Sequence, residues 1–337
     1  MNILEALNKI IDKTDLTEDE MVLVMTQIME GHAESSQLGA FLTALRIKGE
    51  SVSEIVGAAR VMREKAERLN VKADPVVDTC GTGGDGADTF NISTAAAFVV
   101  AGAGITVAKH GNRAVSSRSG SADVLKCLGV NIEAEIATVE KCIDEVGIGF
   151  LFAPLMHGAM RHAAGVRKEL GFRTIFNLLG PLTNPAGAHA QVIGIYDPSR
   201  LEQIANVLKQ LGSRHAFVVS GCDGLDEITL TGETRVCELV KGKVKEYLIR
   251  PDSFGLHACD PKDLVGGSPK ENAEILKDVL SGKKGPQRDI VLMNASAAII
   301  AAGKVETLDD AIHIARQAID TGAAEKKLED LCRVSQK

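Results

Sequence analysis

The run Asp78-Thr-Cys-Gly-Thr-Gly-Gly-Asp-Gly86 places four glycines, Gly81, Gly83, Gly84 and Gly86, within six residues. An apolar lead-in, Pro75-Val-Val, precedes it, and Thr89-Phe-Asn-Ile-Ser-Thr94 followed by Ala95-Ala-Ala-Phe-Val-Val-Ala101 comes after. This order predicts a strand, a glycine turn and then a helix N-terminus, with Asn91, Ser93 and Thr94 as candidate caps. Glycine lets the backbone approach an anion closely, and a helix start presents unpaired N–H groups to it. The stretch therefore reads as a phosphate or pyrophosphate cradle. Taken alone, the glycines fit an empty turn equally well. Neither the phosphate-loop pattern nor the dinucleotide fingerprint is present. Asp85 repels phosphate, so its place in the turn makes sense beside sugar hydroxyls or a metal ion.

Alternation sets the fold class. Residues 1–70 read as helices without a strand, with capping boxes at Thr17–Glu20 and at Ser51–Glu54, the second opening a helix from Ile55 through Leu69. From residue 75, short apolar runs alternate with helical stretches: Ile105–Lys109, Gly147–Phe152, Gln191–Tyr196 and His215–Ser220 as strands, with helices over Ala122–Leu128, Thr138–Val146 and Pro198–Leu211. This pattern predicts an α/β protein: a helical N-terminal domain plus a larger α/β domain with a mostly parallel central sheet. The expected boundaries are 1–72 for the helical domain, joined by part of 155–190, and 73–337 for the α/β domain. Residues 229–250 read as antiparallel strands, and Asn272 onward as helix.

Composition narrows the partners. With 337 residues and a net charge of −7, a broad nucleic-acid footprint is disfavoured, and aromatics at 3% supply few stacking platforms. Seven scattered cysteines without a C-x-x-C pair disfavour zinc ribbons and disulfide frameworks. No signal-peptide pattern or membrane-length apolar run is seen, so a soluble cytoplasmic protein is expected.

Three further blocks carry candidate chemistry. Lys109-His-Gly-Asn-Arg-Ala-Val-Ser-Ser117 follows a predicted strand, where α/β sheets hold ligands. Lys109 and Arg113 offer cationic donors there, and Ser116 and Ser117 offer hydroxyls; a solvated loop is the alternative. His110 is a site-lining group, since a lone histidine is more often structural. Asp226-Glu227, in the loop Gly221-Cys-Asp-Gly-Leu-Asp-Glu227, can hold a hard cation such as Mg²⁺, or be a surface acidic pair. Arg167, in Val166–Pro185, can grip a carboxylate or form a surface salt bridge.

Together Gly81-Thr-Gly-Gly-Asp85, Asn91-Ile-Ser-Thr94, Lys109-His-Gly-Asn-Arg113 and Asp226-Glu227 resemble the anthranilate phosphoribosyltransferases, of the nucleoside-phosphorylase-like class of phosphoribosyltransferases. The likeness covers essentially the whole chain, with the motifs in the same order. His157-Gly158 departs from the His-Pro of many relatives. The resemblance implies a transfer from phosphoribosyl pyrophosphate to anthranilate with Mg²⁺, in a homodimer paired through the helical domain. It implies that Gly84, Asp85, Asn91, Ser93, Thr94 and Lys109 hold phosphoribosyl pyrophosphate, with Thr89, Ser117 and Ser121 completing the pocket. Ser93, Asp226 and Glu227 are implied to bind Mg²⁺, and Gly81, Asn112 and Arg167 to face anthranilate. Ile92, His110, Gly111, Arg113, Ala114, Val115 and Ser116 join the substrate-binding set by position. No general base is assigned. The alternatives are a pyrimidine nucleoside phosphorylase on the same fold, disfavoured by the Lys109–Arg113 block, and a non-enzymatic nucleic-acid-binding relative, disfavoured by the negative charge.

Overall fold

The computed structural model describes residues 1–114 and 118–337. Four helices come first: α1 (Ile3–Ile11), α2 (Glu18–Met29), α3 (Ser35–Lys48) and α4 (Val52–Glu64). Both expected capping boxes form, with Thr17 and Ser51 each accepting from the glutamate three residues on. α4 stops at Glu64, short of the expected Leu69, and irregular chain leads to the sheet.

Among the described residues the sheet has seven strands in the order β3-β2-β1-β4-β5-β6-β7. They are β1 (Val76–Gly81), β2 (Thr106–Gly111), β3 (Ile148–Phe152), β4 (Ala190–Gly194), β5 (His215–Gly221), β6 (Thr234–Val240) and β7 (Lys243–Ile249). β1 to β5 are parallel, whereas β6 and β7 add an antiparallel hairpin. Between them lie α5 (Ile92–Gly102), α6 (Ser121–Cys127), α7 (Ile136–Lys141), α8 (Ala153–Met156), α9 (Arg161–Leu170), α10 (Ile175–Leu179) and α11 (Leu201–Gln210). The chain closes with α12 (Pro269–Leu280), α13 (Pro286–Ala301), α14 (Leu308–Asp320) and α15 (Ala323–Val334).

Alternate strand residues feed opposite faces. In β5, Phe217 and Val219 join the core built with α5 and α12–α15, while Ala216 and Val218 join the core shared with α11 and the helical bundle. That second core includes Val166 of α9 and Ile175, Phe176 and Leu179 of α10. Residues 155–190 thus break the β/α rhythm because their apolar side chains pack on the bundle. Among the described residues no helix is long and apolar enough to cross a membrane.

β1 is the pivot of the sheet. The chain runs from β1 to β2 and β3 on one side, then crosses to β4 on the other. The carboxyl ends of β1 and β4 therefore flank a switch point, where open α/β sheets hold ligands.

Candidate active site

The glycine run begins at the carboxyl end of β1 and leads to the start of α5. Gly83, Gly84 and Gly86 have φ of 66°, 80° and 72°, a left-handed path that L side chains resist. At Gly81 the constraint is space, since a Cβ there would overlap the Asp226 carboxylate. The turn is thereby brought onto the loop after β5. The Gly83 N–H donates to Asp226 Oδ2 at 2.7 Å, and the Ser93 N–H, in the first turn of α5, donates to Glu227 Oε1 at 3.1 Å. Sites 143 and 134 residues apart in sequence thus meet at one point.

Asn91 occupies the N-cap of α5, yet its side chain does not cap the helix. It donates instead to the Ser119 carbonyl at 3.1 Å and accepts from Asn272 Nδ2 at 3.1 Å. The first N–H groups of α5 are met by other acceptors, Ile92 by the Phe90 carbonyl at 2.8 Å, Ser93 by Glu227 and Thr94 by the Asn91 carbonyl at 3.1 Å.

Lys109, 3% exposed in β2, donates to the Thr79 carbonyl and reaches Ser93 Oγ at 3.3 Å. Burial pulls its pKa below the usual lysine range, opposed by the carboxylates of Asp78, Glu227 and Asp226. Asp78, fully buried, accepts from the His110 N–H at 3.1 Å and from Asn184 Nδ2 at 2.8 Å. Burial raises its pKa, and Lys109 opposes the rise.

Asp226 and Glu227 are half-buried. Desolvation, then the charge of Asp85, pushes Asp226 up to about 7. Desolvation, then Asp226 itself, pushes Glu227 up to about 8. Three acids crowd one another here, an arrangement that a cation relieves. The described residues contain no cluster of three or more His, Cys, Asp or Glu side chains arranged to hold a metal by themselves. The donor set still fits Mg²⁺, a hard ion that takes one or two carboxylates and draws its other oxygens from water and substrate phosphates.

The remaining candidates divide. Ser121 Oγ donates to the Asn112 carbonyl at 3.3 Å, and the Asn112 side chain accepts from the Arg113 N–H at 2.8 Å. Arg113 faces away from the cradle, toward Asp123 at 3.7 Å and Glu133 at 3.3 Å, over the Phe152 ring. The Ala114 N–H binds Asp123 at 3.0 Å. Thr89 forms a lone bridge with Val265, and Ile92 and Thr94 are buried at the start of α5. Val115, Ser116 and Ser117 lie outside the described residues. Arg167 stacks at 5.2 Å over Phe176, and no carboxylate pairs with it among the described residues. A salt bridge therefore does not occupy it. Burial lowers its pKa from the usual guanidinium range.

His110 is a buried neutral ring. Burial, followed by repulsion from His157, takes its pKa down to about 3, and Nδ1 lies 3.1 Å from the Gly180 carbonyl. Burial takes His157 down to about 4, and the two ring centres are 5.1 Å apart. Burial thus leaves both rings weaker bases than an ordinary imidazole.

Three residues at the site escaped sequence reasoning. Asp78 and Asn184 form the buried scaffold under Lys109. Arg173 donates to the Gly84 carbonyl, and its guanidinium lies 3.7 Å over the Tyr196 ring. Asp78 stands within the first motif and was the findable one. Nothing in the spacing ties Arg173 or Asn184 to the glycine turn. A cavity of about 220 Å³ lined by Asp263, Asp278, Lys283 and Arg288, among others, shares no residue with this site.

A glycine turn, a helix start and a carboxylate pair thus meet at the switch point of an α/β sheet, beside a helical bundle. The profile described as "Glycosyl transferase family, a/b domain" matches residues 73–325, and "Glycosyl transferase family, helical bundle domain" matches residues 4–66. The anthranilate phosphoribosyltransferase of Anaeromyxobacter dehalogenans is 58% identical over 98% of this chain and 97% of its own. That of Syntrophobacter fumaroxidans is 56% identical over 98% of both. The crystal structure of the Thermus thermophilus enzyme superposes with a TM-score of 0.94 at 45% identity, covering 98% of this chain and 99% of that one. The Saccharomyces cerevisiae enzyme in complex with phosphoribosyl pyrophosphate and Mg gives 0.90 at 30%, covering 99% and 98%. The chain belongs to the glycosyl transferase family, among its anthranilate phosphoribosyltransferases.

Proposed function

We propose that this site transfers the phosphoribosyl group of phosphoribosyl pyrophosphate to the amine of anthranilate, releasing pyrophosphate, as a step of tryptophan biosynthesis. The observation that carries the reading is the convergence of Asp226 and Glu227 on the N–H groups of Gly83 and Ser93. It supports a cation seat beside the glycine turn, the pair of features a pyrophosphate leaving group requires.

In this reading Gly84, Asp85, Asn91, Ser93, Thr94 and Lys109 bind the phosphorylated sugar, with Thr89, Ser117 and Ser121 at its edges. Asp226, Glu227 and Ser93 hold Mg²⁺, which when bound neutralises charge on the pyrophosphate oxygens. Gly81, Asn112 and Arg167 receive anthranilate, with the unpaired Arg167 on its carboxylate. The bond from ribose C1 to the pyrophosphate oxygen breaks with its electron pair leaving on that oxygen. The amine lone pair forms the new C1–N bond, and the nitrogen proton passes to solvent. An arylamine is already unprotonated near neutral pH, so no strong base is needed. This agrees with His110 and His157 being buried and neutral.

Magnitudes assign the work. A helix end contributes about 0.3–2 kcal/mol to holding an anion, against the roughly 8–23 kcal/mol by which enzymes lower barriers. The cradle therefore binds, while alignment of the amine behind C1 contributes about 7–11 kcal/mol and charge neutralisation supplies much of the rest. Loss of anthranilate fluorescence tests the reading. It should require phosphoribosyl pyrophosphate and a divalent cation together. Undiminished turnover in EDTA removes the cation seat, and phosphate-dependent nucleoside cleavage in its place removes the whole reading.

The unit boundaries follow the same proposal, with residues 1–72 and part of 155–190 as the helical domain and 73–337 as the α/β domain. A homodimer through the helical domain is supported by exposed Leu4 and Ile11 on α1, Leu23 on α2 and Ile47 on α3, at 49%, 61%, 49% and 78%. Sedimentation equilibrium should give twice the chain mass. A monomer at micromolar concentration removes this part. Seven free cysteines support a reducing, cytoplasmic setting.

A further inference from the structure

α13 is buried from Ile290 to Ala301 and is apolar along most of that length. A polar residue inside such a helix is costly unless every group it carries is paired. Asn294 is 2% exposed. Its Oδ1 accepts from the Ile228 N–H at 3.0 Å, and its Nδ2 donates to the Ile228 carbonyl at 2.9 Å and the Ile290 carbonyl at 2.9 Å. One side-chain amide thus does for Ile228 what a neighbouring strand would do, pairing both of its backbone groups. Asparagine is a poor helix-interior residue, because it competes for backbone hydrogen bonds. Here that competition is directed onto another segment.

Ile228 directly follows Asp226 and Glu227, and its own side chain is fully buried. On the other side, the Asp226 carbonyl lies so close to Gly194 that a Cβ there would overlap it. The acidic pair is therefore gripped at both ends by backbone contacts. α13 also packs along α5, whose Ser93 N–H binds Glu227. A single buried helix thus holds the loop that carries the carboxylates and packs on the helix whose first turn faces them.

We infer that Asn294 is a positioning residue for the divalent cation: by clamping both backbone groups of Ile228 it sets the direction in which Asp226 and Glu227 project. The inference rests on the reading of those two carboxylates as the cation seat. Asn294 is separated from the seat by Ile228 and acts only through that residue. Its effect should appear in cation dependence before it appears in chemistry at saturating cation.

Asn294→Leu keeps the approximate shape and removes the clamp. Asn294→Ser, a milder change, keeps a hydroxyl for the Ile290 carbonyl and also gives up the clamp. Each full-length variant is measured for the Mg²⁺ concentration giving half-maximal rate and for Mn²⁺ affinity by electron paramagnetic resonance with pyrophosphate present. Loss of a group that orients metal ligands commonly costs about 10–100-fold in metal affinity. The half-saturating Mg²⁺ concentration should rise about tenfold or more, with the KM for anthranilate nearly unchanged and much of kcat regained at high Mg²⁺. Should Asn294→Leu fail to fold, Asn294→Ser decides by the same readout. A folded variant with the parent's cation dependence, losing only melting temperature or kcat, overturns the inference. Asp226→Asn, measured alongside, separates the two layers. If it weakens Mn²⁺ and the Asn294 variants do not, only the clamp falls; if it also leaves Mn²⁺ unchanged, the cation seat falls with it.

Discussion

Glu54 in the helical bundle and the Asp226–Glu227 pair at the sheet edge are both carboxylates set among protein atoms, but only Glu54 is saturated with donors. Its two oxygens accept from the Leu16 N–H at 3.0 Å, Lys48 Nζ at 2.9 Å and the Ser51 N–H at 2.7 Å. Asp226 and Glu227 each take one backbone N–H from the facing elements, and they crowd each other and Asp85. A structural acid is finished by its own fold. The pair at the sheet edge is left with unused lone pairs and mutual repulsion, which a cation and a phosphorylated ligand can complete. Stability and function thus diverge within one chemical group.

The sharpest way to break this contrast is to remove the unfinished pair. Asp226→Ala with Glu227→Ala should lower kcat at saturating anthranilate by about a thousandfold or more, on the scale of about 10²–10³ for a single lost electrostatic partner. Cation-free melting temperature should stay level or rise, because repulsion is relieved. A variant that melts well below the parent would make the pair structural after all.

Removing the finished acid should do the opposite. Glu54→Ala leaves the Leu16 and Ser51 N–H groups without their acceptor, while Lys48 keeps Asp15 as a partner, and should cost about 1–3 kcal/mol in urea unfolding. The folded fraction should keep its kcat, measured below the unfolding transition. Loss of turnover in a fully folded sample would contradict the division of labour.

Arg167 extends the same logic to a cation left unpaired. Arg167→Ala should raise the KM for anthranilate about tenfold to a hundredfold, as expected for a charge-assisted hydrogen bond of about 1.5–3 kcal/mol. Titration calorimetry should find phosphoribosyl pyrophosphate binding nearly intact. Equal weakening of both substrates would return Arg167 to a packing role over Phe176.

A pH titration probes the pair without mutation. The folded state raises the pKa values of Asp226 and Glu227, so it binds their protons more tightly than the unfolded chain does. Their contribution to cation-free stability is therefore favourable at low pH. It should decline as pH rises from the ordinary carboxylate range to about 8, the value to which Glu227 is pushed. Saturating Mg²⁺ should flatten that decline in differential scanning calorimetry. A cation-free protein that gains stability over this window through these two residues, as judged against Asp226→Asn, would reverse the sign.

The smallest effect is expected at Cys80, beside the glycine turn. Burial and the neighbouring Asp78 hold its thiol well above the usual range, so it is a poor nucleophile. Cys80→Ser should retain near-parental kcat in the fluorescence assay. A folded but inactive variant would call for a covalent step.

Much of the fold could be read because its signals are local. The capping boxes at Thr17 and Ser51 and the alternation after residue 75 depend on neighbours a few residues apart, and both appear where expected. The end of α4 is less legible, because the apolar residues Ala66 and Leu69 keep a helix-like spacing while being buried from irregular chain. Within the site, Gly81, Ser93, Lys109, Asp226 and Glu227 are brought together, whereas Arg113 points to Asp123 and Glu133. A cationic side chain near a strand end carries no mark of which way it turns.

By itself the sequence determined which residue types were available, in what order, and at which strand and helix ends they would stand. Backbone periodicity and capping are short-range, so an unaided reading reaches them. The tertiary structure decided which ends coincide. Asp226 meets Gly83 across 143 residues, and Arg173 reaches Gly84 across 89. It also decided that Glu54 is satisfied while Glu227 is not, since donor count and desolvation depend on what other segments bring. Those quantities are sums over space, and a linear chain does not record them.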